Sequence, residues 1–325
     1  MLAGCAIPAA TPLSARPPST TSSAQVTTNL DAAVFVEPDD GPEPLLNELN
    51  AARSSIDVEM YLLTDRDVLV ALEDAERRGV KVRMLLEEHP YGEGAGNESA
   101  YSRLQRDGIA VRWTDDRRYK LTHEKAAVID RREALILTLN LTASAFSRNR
   151  EYGVVDRTPD DVAEVASIFE ADWSGGTYTP SQPDLVVSPN NSRDKLQAIM
   201  GQAATSLEVE SEEVQDDGVE QALVAAEKRG VNVRLVLSPA AAGQTDTNAA
   251  GVALLKSGGA QVRYMSKPYV HAKIVLADGK TAFVGSENIS HQSLDLNREV
   301  GLFLSGPAAV SRIASTFEQD WNSHS

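Results

Sequence analysis

The sequence predicts an α/β protein built from two pseudo-symmetric halves, each a mixed β-sheet flanked by helices. Three observations carry this prediction. The chain repeats itself: His123 and His271, Asn140 and Asn288, Glu151 and Glu299, and Trp173 and Trp321 each lie 148 positions apart. The continuous apolar runs VKVRMLL and VNVRLVL, rich in β-branched residues, read as strands covered on both faces and alternate with helical patterns. At 325 residues with 42% hydrophobic content, the chain can bury the core of one large or two ordinary domains.

Residues 1–28 stand apart. Ala6 to Thr28 is rich in Pro, Ser, Thr and Ala with almost no large apolar side chains, a composition that cannot repay the entropy of ordering, and reads as a flexible leash. The first half is expected over residues 29–180 and the second over 181–325. Each opens on an amphipathic helix (LLNELNAARSS; DKLQAIMGQAA) that leads into a short strand (IDVEMYLL; SLEVES). A helix follows, ending at a glycine suited to close it, Gly79 or Gly230. The covered strand comes next, then a third helix (ESAYSRLQRDG; NAAGVALLKSGG) and a strand (IAVRW; AQVRYM). HEKAAVI and HAKIVLA then begin hairpins whose turns hold Asp130 and Asp278, and a return strand, a strand starting near Glu151 or Glu299 and a closing helix complete the unit.

The formal charge of −16 and a pI near 4.8 give a field that repels phosphate backbones and anionic membrane surfaces, which disfavours long nucleic acid as a partner. With Cys5 as the one cysteine, no disulfide within the chain is possible. Leu2-Ala3-Gly4-Cys5 resembles the lipobox of bacterial lipoproteins, although the basic and apolar regions that precede a lipobox are missing before it. The reading is a truncated lipoprotein start, with Cys5 as a lipidation site and the leash as a tether to the outside of a bacterial membrane. A secreted or, failing the lipobox, a cytoplasmic protein are the alternatives. No apolar run approaches the roughly 20 residues of a membrane span.

The chemistry lies in His-x-Lys-x-x-x-x-Asp, present at His123, Lys125 and Asp130 and again at His271, Lys273 and Asp278. On a strand, residues two apart share a face, so each His is expected beside its Lys, and Thr138 with Asn140 or Ser286 with Asn288 would join that face as neutral donors. Glu151 and Glu299 follow their histidines and could fix each ring. Doubling suits a phosphodiester. One neutral His can attack phosphorus while the other, protonated, donates to the departing alkoxide, and two Lys and two Asn stabilise the charge that develops. The scheme needs no metal or other cofactor, and no His-x-x-x-His or similar ligand spacing occurs among the five histidines.

The two copies resemble the motifs of the phospholipase D superfamily, over about residues 31–325. The second copy follows the family pattern at His271, Lys273, Asp278, Gly285, Ser286 and Asn288. The first keeps His123, Lys125, Asp130 and Asn140 but has Leu137 and Thr138 where the Gly-Ser pair is expected. The resemblance implies two phospholipase D-like halves, one active site at their interface, a covalent phosphohistidine intermediate and no metal. It further implies that His123 is the nucleophile and His271 the acid. The Asp residues, at hairpin turns, are expected to support structure.

The superfamily includes lipid hydrolases, phosphatidyl transferases such as cardiolipin synthases, and nucleases, so the motifs leave the substrate open. The acidic charge argues against a duplex nuclease, and the lipobox would place the enzyme at a membrane exterior where phospholipid is abundant, so a phospholipid substrate is favoured. An endonuclease acting on single-stranded or short nucleic acid is the alternative, and an inactive membrane-tethered phosphate-binding protein is the reading from another class. Arg117, Arg118 and Lys120 before His123, and Lys267 before His271, are expected to form a basic patch that binds substrate, with Tyr119 and Tyr269 lining a headgroup pocket or stacking on a base. The segments HPYGEGAGNE and SPAAAGQTDTN are expected at the mouth. Since both motifs lie in one chain, a monomer suffices for a complete site.

Overall fold

The computed structural model describes residues 32–91, 96–115, 117–241 and 243–323; Cys5 and the leash lie outside the described residues. The first half runs β1 (Ala33–Glu37), α1 (Glu43–Ala51), β2 (Ser55–Met60), α2 (Arg66–Arg77), β3 (Lys81–Leu86), α3 (Glu98–Arg106), β4 (Ala110–Trp113), β5 (Lys125–Ile129), β6 (Glu133–Leu137), α4 (Ala143–Ser147), β7 (Asn149–Asp156) and α5 (Pro159–Ser174). The second repeats it as β8 (Leu185–Ser188), α6 (Ser192–Gln202), β9 (Ser206–Ser211), β10 (Val214–Gln215), α7 (Asp217–Lys228), β11 (Asn232–Leu237), α8 (Ala249–Ser257), β12 (Gln261–Tyr264), β13 (Tyr269–Val270), β14 (Lys273–Ala277), β15 (Thr281–Gly285), β16 (Ile289–Ser290), α9 (His291–Asp295), β17 (Glu299–Leu304) and α10 (Pro307–Asn322).

Each half forms a mixed sheet, in the orders β1-β7-β6-β5-β2-β3-β4 and β12-β11-β9-β14-β15-β17-β8. The covered strands β3 and β11 pair in parallel with both neighbours, as their continuous apolar runs require. The crossover helix α2 starts where Asp65 accepts from the N–H groups of Asp67 and Val68, and ends before Gly79 at φ +89°. A leading strand in each half, β1 or β8, was not legible in the sequence. These short strands precede the opening helix and pair only with β7 and β17.

The hairpins β5–β6 and β14–β15 turn at Asp130 (φ +53°) and Asp278 (φ +55°). Each carboxylate leaves the turn and accepts three consecutive backbone N–H groups at the entry to the neighbouring strand, from Arg53, Ser54 and Ser55 at 2.7–3.2 Å and from Ala204, Thr205 and Ser206 at 2.7–3.1 Å. The motif aspartates therefore weld hairpin to sheet.

The two sheets meet face to face. Ile136 and Val154 from one and Ile274, Val284 and Leu302 from the other belong to one buried cluster with Phe317 and Trp321 of α10. Each such side chain withdrawn from water contributes about 1.5–3 kcal/mol. Leu137, where the family pattern expects glycine, lies opposite Gly153, whose place beside the chain a Cβ could not share with the Phe35 ring at 2.0 Å. In the second half Gly285 lies opposite Gly301. The second half thus has glycine on both strands at this place, and the first only on β7.

Candidate active site

Strands β5 and β14 begin at Lys125 and Lys273, so His123 and His271 lie just before the strand and do not share its alternation. Their peptides belong to the opposite half: the His123 N–H donates to the Arg298 carbonyl at 2.9 Å and the His271 N–H to the Arg150 carbonyl at 3.2 Å. In the second of these contacts the short strand β13 adds in parallel to β7 of the first sheet. Backbone pairing across the interface thereby draws both rings into one cleft.

The rings are held in the same crossed way. Nδ1 of His123 is 2.8 Å from Glu299, and Nδ1 of His271 is 2.6 Å from Glu151. The sequence reading paired each His with the Glu of its own half; the structure exchanges them. Both glutamates are wholly buried. Glu299 also accepts from the Ser293 hydroxyl and from Asn297 at 3.0 Å, and Glu151 from Thr138 at 2.7 Å and Asn149 at 3.3 Å. Carboxylates fixed in this way orient each imidazole through its Nδ1.

Thr138 is thus a support for Glu151 and does not present its hydroxyl to the cleft, and Ser286 accepts from the Val300 N–H at 3.2 Å. Asn140 and Asn288 do line the cleft, beyond the ends of β6 and β15. Lys125 and Lys273 are buried and donate to the carbonyls of His123 and His271 at 2.7 and 2.5 Å. The cleft encloses about 610 Å³ and is lined by His123, His271, Asn140, Asn288, Glu212 and Tyr61 among others.

Comparison with known proteins decides the family. The family model described as "Cardiolipin synthase, PLD-like domain" matches twice, over residues 45–173 and 196–321. The chain belongs to this phospholipase D-like family. Cardiolipin synthase 2 of Bacillus cereus is 24% identical over 318 residues, covering 85% of this chain and 62% of its own length. Human mitochondrial cardiolipin hydrolase is 31% identical over 129 residues, 40% of this chain and 49% of its own. The fold matches the phosphatidylserine synthase of Haemophilus influenzae with a TM-score of 0.72 at 11% identity, covering 92% of this chain and 88% of that one. The chain spans 62% of the length of Cardiolipin synthase 2 of Bacillus cereus and 63% of that of the probable cardiolipin synthase of Bacillus subtilis, less than two thirds of each.

Within this phospholipase D-like frame the two halves of the site differ. After β2 stands Tyr61, whose ring meets His123 edge-on at 4.6 Å between centroids and lies 5.0 Å from the Lys125 ammonium. At the equivalent place after β9 stands Glu212, 3.2 Å from Nε2 of His271 and 3.3 Å from Nζ of Lys273. Sequence reasoning missed both residues; the repeat register before the histidine motif, which already aligns Glu76 with Glu227, also aligns Tyr61 with Glu212. Burial pushes His123 down to about 4 against the pull of Glu299, so its ring is neutral at neutral pH. Burial, then the neighbouring Lys273, brings Lys125 down to about 7. Burial works against ionisation of Glu212, yet the His271 and Lys273 charges hold its carboxylate at about 2.

The expected basic patch is not at the cleft. Arg118 pairs with Asp172 at 3.2 Å, and neither it nor Lys120 nor Lys267 lines the cavity, whose wall instead carries Glu212 and Glu213. These two glutamates also border a second cavity of about 410 Å³ that includes Tyr269 and residues of the SPAAAGQTDTN segment, while Tyr91 of the other expected mouth segment lines the first. Tyr119 is turned inward, its hydroxyl taken by Arg298.

Among the described residues, one carboxylate group brings ligand atoms within 4.8 Å of one another, Glu59, Glu124 and Asp172. The guanidinium of Arg298 already sits against it, 2.7 Å from Asp172, and burial pushes Glu124 up to about 8. No described helix is long and apolar enough to cross a membrane.

Proposed function

We propose that this protein is a phosphodiesterase of phospholipase D type that hydrolyses or transfers the headgroup of a phospholipid, with His123 as nucleophile and His271 as general acid. The observation that carries the assignment is the difference between Tyr61 and Glu212. His123 meets an aromatic edge and stays neutral, as a nucleophile must. His271 has a carboxylate on each nitrogen, and satisfies both as a hydrogen-bond donor only when both nitrogens carry protons.

Nε2 of His123 attacks phosphorus and the bond to the headgroup oxygen breaks. Nε2–H of His271 gives its proton to that oxygen, leaving a phosphatidyl-histidine. His271, now neutral, takes a proton from water or an alcohol whose oxygen attacks phosphorus; the P–N bond breaks, and phosphatidate or the transfer product leaves. Lys125, Lys273 and the amides of Asn140 and Asn288 hold the non-bridging oxygens. Every step uses groups of the protein.

Nucleic acid is disfavoured by the net charge of −16 and by a cleft wall that carries Glu212 and Glu213 and, among the described residues, no arginine. The relatives named as cardiolipin synthases and a cardiolipin hydrolase point to a phospholipid. Attachment to a bacterial membrane through Cys5 would place the enzyme beside its substrate.

The test incubates the full chain in EDTA with mixed phospholipid vesicles and, separately, with a single-stranded oligonucleotide, beside His123→Ala and His271→Ala. Phosphatidate formation, or headgroup exchange with added alcohol, lost in both variants, is expected. Cleavage of the oligonucleotide alone would replace this reading with a nuclease. Binding without turnover of either would replace it with a phosphate-binding protein.

A further inference from the structure

We propose that Arg150 and Arg298 are positioning residues, each tying the peptide that carries an imidazole-binding glutamate to the opposite half and so setting the histidine of that half. Arg298 immediately precedes Glu299, and Arg150 precedes Glu151. The two arginines are 148 positions apart, in register with the motif residues, yet neither lines the cleft.

Each arginine makes the same three attachments. Its carbonyl accepts the N–H of the opposite histidine, His123 for Arg298 and His271 for Arg150. Its guanidinium grips an aspartate on the opposite half's closing helix. Arg298 reaches Asp172 of α5 at 2.7 and 3.1 Å, and Arg150 reaches Asp320 of α10 at 2.5 and 2.9 Å. It also holds its own half's leading strand, through the Ser188 carbonyl at 3.4 Å for Arg298 and the Glu37 carbonyl at 2.8 Å for Arg150. Arg298 further donates to the Tyr119 hydroxyl, and Arg150 to Asp39 at 3.0 Å.

The next residue along then delivers its carboxylate to the imidazole. One Arg-Glu dipeptide therefore fixes the opposite histidine by its backbone N–H and its Nδ1, and is itself pinned by a buried two-pronged ion pair. The planar fork of arginine suits this, with two hydrogen bonds from Arg150 to Asp320 and, from Arg298 to Asp172, one hydrogen bond beside a second close charge contact; a lysine ammonium keeps the charge but not the fork. The arrangement explains why the leading strands β1 and β8 and the closing helices belong to the machinery, since they supply the anchors on either side of each arginine. Loosening one arginine should let its neighbouring glutamate and the opposite ring drift while the other ring stays in place.

This inference rests on the role assignment above for its kinetic form and is independent of it in its spectroscopic form. The variants Arg298→Met, Arg298→Lys, Arg150→Met and Arg150→Lys of the full chain are compared with wild type. The imidazole N–H signals of His123 and His271 are followed by NMR, and turnover by a diester with a p-nitrophenolate leaving group and by one with an alkoxide leaving group. In Arg298→Lys, the low-field Nδ1–H signal of His123 should move while that of His271 stays, and the reverse should hold in Arg150→Lys. The methionine variants should lower kcat about 10- to 100-fold with little change in KM, as loss of an outer support does elsewhere, and lysine should recover part of it.

Arg298→Met should slow both diesters alike, because attack by His123 is common to them. Arg150→Met should slow the alkoxide diester at both steps, whereas with p-nitrophenolate, whose departure needs no acid, it should spare the release burst and slow only the breakdown of the phosphohistidine, for which His271 is the base. The opposite kinetic pattern with the same NMR crossing would uphold the positioning and reverse the roles of the histidines. Equal movement of both ring signals in every variant, or of neither in the folded lysine variants, would overturn the inference.

Discussion

The imidazole of His123 is held by Glu299, 176 residues further along the chain and in the other half of the molecule. With its mirror, His271 on Glu151, this relationship makes the orientation of the proposed catalytic pair a property of the interface. Neither half could orient its own histidine alone.

Glu299→Gln should therefore disable His123, and Glu151→Gln His271. Glutamine can accept at only one oxygen and no longer stabilises a positive ring, so kcat should fall about 10²- to 10³-fold with the fold intact. Pre-steady-state trapping of phosphohistidine is the check: Glu299→Gln should slow its formation, whereas Glu151→Gln should leave it with a p-nitrophenolate substrate and slow its breakdown. Identical effects on both phases would argue against separate roles.

Glu212→Gln should change binding and turnover in opposite directions. The carboxylate sits between His271 and Lys273, where a phosphate oxygen would go. Removing its charge should lower KM several-fold, and loss of the proton-holding partner should lower kcat about 10-fold. Full initial-rate curves separate the two.

Activity should fall at both ends of the pH range, for different reasons. His123, brought to about 4 by burial, is neutral and nucleophilic above that value, so kcat/KM should drop as pH falls through about 4. Lys125, brought to about 7 by burial and by Lys273, loses its proton above that value, so KM for an anionic diester should climb as pH rises through about 7. A flat KM from pH 6 to 9 would remove Lys125 from phosphate binding.

Asp278→Ala should destabilise the second half without touching chemistry. Burial opposes ionisation of Asp278, but the N–H groups of Ser206, Thr205 and Ala204 bring its folded pKa from 3.8 to about 2. The folded value lies below the unfolded one, so this stabilisation is complete above about pH 4 and is lost as pH falls toward about 2. The substitution should cost about 1–2 kcal/mol in urea unfolding at pH 7, with kcat unchanged in the folded fraction. A loss of kcat would give Asp278 a part in the reaction.

The sequence by itself determined the two-fold plan and the order of the main strands and helices after the leading strands, though not the short elements α4, α9, β10, β13 and β16. It singled out the six side chains proposed to carry the reaction, His123, Lys125, Asn140, His271, Lys273 and Asn288. Both were legible because duplication leaves a register that can be counted and apolar periodicity reports local structure directly. It also placed the motif aspartates in turns, where residues at positive φ are expected. Only the tertiary structure decided which glutamate serves which histidine, since spacing along a chain says nothing about exchange across an interface. It also removed Arg118, Lys120 and Lys267 from the cleft. Nearness in sequence put them beside the motif, whereas Arg118 found a stronger partner in Asp172. Tyr61 and Glu212 show the same limit. Each is an ordinary residue at a strand end, and acquires meaning only when the fold brings one against each imidazole and makes two matched histidines unlike.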